Sequence, residues 1–210
     1  MLPFVVLGLL CLAALMTLVL TSGGVQSMDA EVARWAAEEA PAPMTSAAQV
    51  LTHLADTPVY LSISAGVAVL LLVLHRRRLA AFVISVAVGQ WLLSNLIKHA
   101  VQRERPDLDR LVDASGYSFP SGHATAAAAL YLALALVVIT VWPTANRIAV
   151  LVIGITIGMT VAATRVLVGV HWTTDVLAGL ALGWTWCVVC AMAFGVVWTP
   201  SPRKAQPAAE

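Results

Sequence analysis

Six apolar runs, at roughly 2–20, 58–74, 79–97, 122–141, 148–164 and 174–198, take up most of this 210-residue chain. As a helix, about 20 apolar residues cover the hydrocarbon core of a bilayer. A helix also satisfies its own backbone N–H and C=O groups, which a lipid-exposed open strand cannot do. The composition agrees: 60% of residues are apolar and 11% charged, where a soluble domain carries roughly a quarter charged. The expected fold is therefore all-α, a polytopic membrane protein with six transmembrane helices. Residues 1–198 read as one domain and 199–210 as a disordered cytoplasmic tail. The first run lacks a basic n-region and a clear small-x-small cleavage site, so it reads as a retained helix rather than a cleaved signal peptide.

The net charge of +1 averages over charges confined to a few segments, and no basic patch suited to nucleic acid appears. Cys11, Cys187 and Cys190 lie inside apolar runs and read as small packing residues. Cys187-x-x-Cys190 lacks the second ligand pair of a zinc site, so no metal is expected. Gly154-x-x-x-Gly158 and Gly179-x-x-x-Gly183 predict close approach of helix backbones.

Orientation follows from Lys and Arg in the short connections. With alternating crossings, Arg76, Arg77, Arg78, Arg147, Arg203 and Lys204 fall on one side, expected to be cytoplasmic. Arg34, Lys98, Arg103, Arg105, Arg110 and Arg165 fall on the other, which removes the bias unless some of them serve another purpose. The segment 22–57 holds "SMDAEVARWAAEEAPAPM", a candidate short helix with Met28, Val32 and Trp35 on one face, ended before Pro41 and Pro43. It suits either a membrane-surface helix or a solvated loop with some helix. Trp35, Trp142, Trp172 and Trp198 fall where an aromatic belt is expected.

Ionisable groups near bilayer depth are costly, so their placement calls for a reason. Lys98 closes the third run and Arg105 follows in the loop 98–121. Ser121, Gly122 and His123 open the fourth, Arg165 closes the fifth, and His171 and Asp175 open the sixth. All fall on the same side. Three fixed cations with arginine forks suit a phosphate. Ser121 can cap a helix whose first N–H groups meet an anion, with Gly122 allowing close approach. Asp175, four residues after His171, can reach one imidazole nitrogen and leave the other to attack. His123, on another helix, can donate a proton to the leaving oxygen and later activate water. Arg103, Glu104, Asp107, Asp109 and Arg110 read as solvated loop charges, and His53, His75 and His99 as histidines outside the pattern.

The pattern Lys98-x6-Arg105-Pro106, Pro120-Ser121-Gly122-His123 and Arg165-x5-His171-x3-Asp175 resembles the three-part signature of the type 2 phosphatidic acid phosphatase superfamily. That family includes bacterial phosphatidylglycerophosphate phosphatases, undecaprenyl-diphosphate phosphatases, animal lipid phosphate phosphatases and vanadium haloperoxidases. The resemblance implies a helical-bundle phosphatase without metal or other cofactor, working through a phosphohistidine. By position, His171 resembles the nucleophile, Asp175 its partner and His123 the acid. Lys98, Arg105, Ser121, Gly122 and Arg165 resemble the phosphate ligands. Thr164 stands where the family usually has serine. The implied partners are the bilayer and a lipid phosphate: polyprenyl diphosphate slightly ahead of phosphatidic acid and phosphatidylglycerophosphate, presented at the extracytoplasmic face of the cytoplasmic membrane. A lipid-phosphate binding or transport protein would need the cations but not the two histidines. Oligomeric state is not legible.

Overall fold

In the computed structural model, which describes residues 1–196, the chain is helical throughout its regular structure. Eight α-helices follow one another: α1 (Leu2–Thr21), α2 (Gly23–Glu38), α3 (Ala42–Leu51), α4 (Thr57–Val73), α5 (Arg77–Val101), α6 (Gly122–Val141), α7 (Arg147–Leu167) and α8 (Thr173–Ala193). A 3₁₀ turn, Thr52–Ala55, links α3 to α4. Trp198 and the tail 199–210 lie outside the described residues.

Five helices, α1 and α5 to α8, are long and apolar enough to cross a membrane. A sixth span is completed if α4 is joined to its lead-in 42–55, from which it bends by 47°. The bend falls at Asp56, in extended backbone just before Pro58 in the first turn of α4. Proline has no N–H to donate, a loss that costs nothing in the first turn of a helix but would break a bond inside one, so Pro58 suits the start of a new helix rather than the continuation of the old one.

The bundle is built around α6, which packs on α5, α7 and α8. Ala124, Ala126, Ala127, Ala128 and Ala129 are all buried, so neighbouring helices approach its backbone closely. The glycine spacing in α8 is what makes this possible. A Cβ at Gly179 would lie 2.7 Å from the Ser121 carbonyl oxygen, and one at Gly183 2.4 Å from that of Thr125. Gly154 of α7 meets the Tyr131 carbonyl in the same way, at 2.7 Å, whereas Gly158 is in looser contact at 3.4 Å. Cys187 and Cys190 are buried packing residues, while Cys11 on α1 faces outward.

The segment 22–57 is more ordered than a loop. Ser22 caps α2, which ends before Pro41, and α3 begins at Ala42. The face of α2 that packs inward carries Asp29, Ala33 and Ala36, whereas Met28 and Trp35 are 55% and 43% exposed. Of the three apolar residues expected to share a face, Met28 and Trp35 thus point away from the bundle and Val32 is half-buried, while a buried aspartate points in.

Gly183→Val should destabilise the protein by about 1–3 kcal/mol, the usual range for overpacking a tight contact. Gly66→Ala, where a Cβ meets nothing within 4 Å, should leave stability unchanged or slightly improved. Unfolding midpoints of the two purified variants beside wild type check this contrast.

Candidate active site

At one end of the bundle a cavity of about 620 Å³ is lined by Lys98, Arg105, Gly122, His123, Arg165 and His171. Six of the eight residues singled out from sequence thus share one wall. Ser121 and Asp175 are buried directly behind it. The remaining lining comes chiefly from the loop residues 113–117 and from Thr57, Asn95 and His99.

Three ends of helix build the anion-binding side. α5 runs one turn further than its apolar run suggested, so Lys98 sits in its last turn and donates to the Tyr117 carbonyl at 2.6 Å. Ser121 Oγ accepts the Ala124 N–H and caps α6. The Gly122 and His123 amides therefore stand in the first turn of α6, where no intrahelical acceptor exists. A Cβ at Gly122 would stand 3.9 Å from both Lys98 Cε and Ser94 Oγ, so nothing in the protein forbids a side chain there. The room is on the cavity side. Arg105 is fixed by carbonyl oxygens: Gly116 at 2.9 Å, Ser115 at 2.9 Å, Val170 at 2.8 Å and Tyr117 at 3.3 Å. Burial lowers its guanidinium from the usual range. Arg165, only 3% exposed, donates through Nη1 to the Thr52 hydroxyl, while its buried Nε has no acceptor.

Among the described residues, Lys98, Arg105 and Arg165 form no ion pair: Asp56 and Asp175 are held by other groups, and Asp113, which also lines the cavity, pairs with none of the three. Three unmatched cations and an orphaned guanidinium N–H are costly where water is scarce. A multiply charged oxyanion in the cavity would offset that cost.

His171 bridges this cationic side and the carboxylate behind it. Its Nδ1 lies 3.3 Å from Asp175 Oδ2 and its Nε2 3.1 Å from Arg105 Nη1. A guanidinium can only donate, so Nε2 carries the lone pair and Nδ1 carries the hydrogen. Asp175 Oδ2 also accepts the Trp172 N–H at 3.0 Å, which locks the carboxylate. Burial pushes the imidazole down to about 3, against the pull of Asp175, so it is neutral near pH 7.

Residues outside the sequence pattern complete the arrangement. Arg103 is not a solvated loop charge. It donates to Asp175 Oδ1 at 2.6 Å, to Asp29 Oδ2 at 2.8 Å and to the Thr174 hydroxyl at 2.7 Å, and lies 5.3 Å from the Trp172 ring centroid. Asp29, reaching across from α2, accepts the Thr174 N–H at 3.0 Å as well as its hydroxyl. Trp172 belongs to this cluster and donates to the Glu104 carbonyl, so it lies behind the cavity wall rather than on it. Asp56 and His53 form a second cluster: Asp56 Oδ1 is 2.8 Å from His123 Nε2, and Asp56 Oδ2 is 2.7 Å from His53 Nδ1. His99 is not outside the site either, since it lines the cavity and meets Tyr117 edge-on. The Thr164 hydroxyl is turned to the Val161 carbonyl at 2.6 Å, within its own helix. Among the described residues, no group of three or more His, Cys, Asp or Glu side chains is placed to hold a metal ion.

Residues 78–198, more than half of the chain, match the PAP2 superfamily. Phosphatidylglycerophosphatase B of Bacillus subtilis (strain 168) is 39% identical over 94 residues, which cover 44% of this chain and 46% of that protein. A lipid A 1-phosphatase of Rhizobium johnstonii is 33% identical over 182 residues, covering 75% of this chain and 71% of that protein. A decaprenylphosphoryl-5-phosphoribose phosphatase of Mycobacterium tuberculosis is 37% identical over 94 residues, covering 43% and 47%. Against the Bacillus and Mycobacterium proteins, then, the chain spans about half of the relative's length. The crystal structure of a transmembrane PAP2 type phosphatidylglycerolphosphate phosphatase from Bacillus subtilis shares the fold, with a TM-score of 0.81, 26% identity, and coverage of 92% of this chain and 97% of that one.

Two outcomes follow for stability. Arg103→Ala leaves two buried carboxylates without their cation and should cost about 3–5 kcal/mol. Asp29→Ala leaves Arg103 still paired with Asp175 and should cost less; equal midpoints for the two variants would contradict this order. The His171 ring, depressed to about 3 when folded against 6.5 ordinarily, is protonated in the unfolded chain first. Its contribution is therefore lost as pH falls from about 6.5 toward 3. His171→Asn should flatten that part of a stability-against-pH curve.

Proposed function

Because the chain belongs to the PAP2 superfamily, we propose that it hydrolyses a phosphate ester of a membrane lipid through a phosphohistidine. The observation that carries this reading is the His171 lone pair, aimed at the Arg105 guanidinium in a cavity lined by three cations without carboxylate partners. A phosphoryl group held by Lys98, Arg105, Arg165 and the amides of Gly122 and His123 would present its phosphorus to His171 Nε2. Phosphoryl transfer depends chiefly on such positioning and charge stabilisation. In the first half, the bond from His171 Nε2 to phosphorus forms as the ester bond breaks, with His123 giving a proton to the departing oxygen. In the second, His123 takes a proton from water, whose oxygen displaces His171. Asp175 holds the Nδ1–H and offsets the positive charge that the ring acquires.

The relatives are named for phosphatidylglycerophosphate, lipid A 1-phosphate and decaprenylphosphoryl-5-phosphoribose phosphatases. We therefore rank a lipid-borne monoester ahead of polyprenyl diphosphate. Residues 1–198 act as one membrane domain, with the tail 199–210 on the cytoplasmic side. Of the basic residues on the site's side, Lys98, Arg105 and Arg165 serve the cavity and Arg103 the carboxylates. Discounting them leaves the Arg76, Arg77 and Arg78 end as the basic one, which supports a site facing the extracytoplasmic side of the cytoplasmic membrane.

Purified protein in detergent should release phosphate from phosphatidylglycerophosphate, a lipid A-type 1-phosphate or phosphatidic acid with excess chelator present, and vanadate should inhibit. Arg165→Ala should lower turnover by about 10³-fold or more, the scale of an arginine that stabilises transferring phosphoryl charge. No release from any lipid phosphate or polyprenyl diphosphate by folded protein would favour binding or transport instead.

A further inference from the structure

His123 opens α6 in the company of fixed positive charges. The groups facing it are Arg165 from α7 and Arg105 from the loop, with Lys98 of α5 and His171 on the same cavity wall. An imidazolium among fixed cations is disfavoured. Two carboxylates bear on this. Asp113 lines the cavity but forms no ion pair with these groups, while Asp56 lies in direct contact with the ring. Asp56 stands at the 47° bend that opens α4. Each of its oxygens meets a different imidazole, His123 Nε2 at 2.8 Å and His53 Nδ1 at 2.7 Å. The carboxylate is thus held from both sides, and His123 is left with Nδ1 as the nitrogen available to the cavity.

We propose that Asp56, held by His53, is a positioning residue that favours the charged form of His123 and turns the ring so that Nδ1–H serves the departing oxygen. This rests on the phosphatase reading above. As the ester bond breaks, the Nδ1 proton moves to the departing alkoxide and the ring becomes neutral, its Nε2–H still bonded to Asp56. When water attacks the phosphohistidine, its proton returns to Nδ1. Asp56 takes up no proton in either half, and its charge compensates the imidazolium at the start and end of each cycle. The arrangement repeats, on the acid, what Asp175 does for the nucleophile.

Because an aryl phosphate departs as a stable phenolate, it needs little help from an acid, whereas an alkyl phosphate needs it fully. Full-length protein in detergent, assayed for kcat/KM with phosphatidic acid and with p-nitrophenyl phosphate, separates the two. Asp56→Asn should lower kcat/KM for phosphatidic acid by about 10²-fold, the lower end for general acid catalysis, and leave p-nitrophenyl phosphate near wild type, which also shows the variant folded. Removing the carboxylate makes the imidazolium easier to deprotonate, so the basic limb of the phosphatidic acid profile should move to lower pH. Asp56→Glu should recover most of the loss. Equal losses on both substrates, or no loss on either, would overturn the proposal. Wild-type protein that releases phosphate from neither substrate would instead overturn the phosphatase reading.

Discussion

Lys98, Arg105 and Arg165 face one cavity without carboxylate partners, and the rest of the structure is arranged around that constraint. Charges near bilayer depth would ordinarily pair with one another or reach for water. Here the lysine and Arg105 are fixed by loop carbonyls and Arg165 by a hydroxyl, groups that orient a cation without cancelling its charge. The cavity keeps its positive field for an anion. The tight packing of α6 on α8 belongs to the same constraint. Gly179 lets the Ser121 carbonyl approach, and the Ser121 N–H donates to the Asp175 carbonyl at 3.0 Å. The cap of α6 and the first turn of α8, which carries Asp175, are thereby set side by side.

The carboxylates are sorted with equal care. Asp175 and Asp29 share Arg103, and Asp56 is shared by two histidines. Arg103 therefore serves the cavity indirectly, by occupying the Asp175 oxygen that His171 does not use. Asp29 brings α2 into this network, so a helix with exposed Met28 and Trp35 on its outer side is bonded to the first turn of α8. A buried charged triad of this kind is weak evidence of stability, although removing one member leaves the others unpaired and is costly.

Much of this was legible in the sequence, for physical reasons that can be named. The apolar runs gave the helices of the bundle, because membrane spans are set by length and hydrophobicity. The 122–141 run matches α6 to the residue. The spacing from His171 to Asp175 predicted their pairing because a carboxylate in the first turn of a helix can reach back to the residues just before it. Arg103 was misread since a loop arginine near other charges looks solvated, and nothing local says that it reaches Asp29, 74 residues away in sequence. Asp29 lay in a helix read only for its apolar face, and nothing local says that one aspartate of it turns into the bundle. Asp56 and His53 are three apart and could have been paired locally, but their meeting with His123 depends on how the bend at α4 folds over α6. Contacts between distant segments were the part that composition and periodicity could not supply.

The central claim is that His171 Nε2 carries the phosphoryl group during turnover, and trapping that group tests it most directly. Wild-type protein mixed briefly with radiolabelled phosphatidic acid and quenched in alkali should carry label on the peptide that contains His171. That label should be stable to alkali, labile to acid and missing from His171→Asn. Rapid phosphate release with no labelled protein at any quench time, or label on a different residue, would contradict the account.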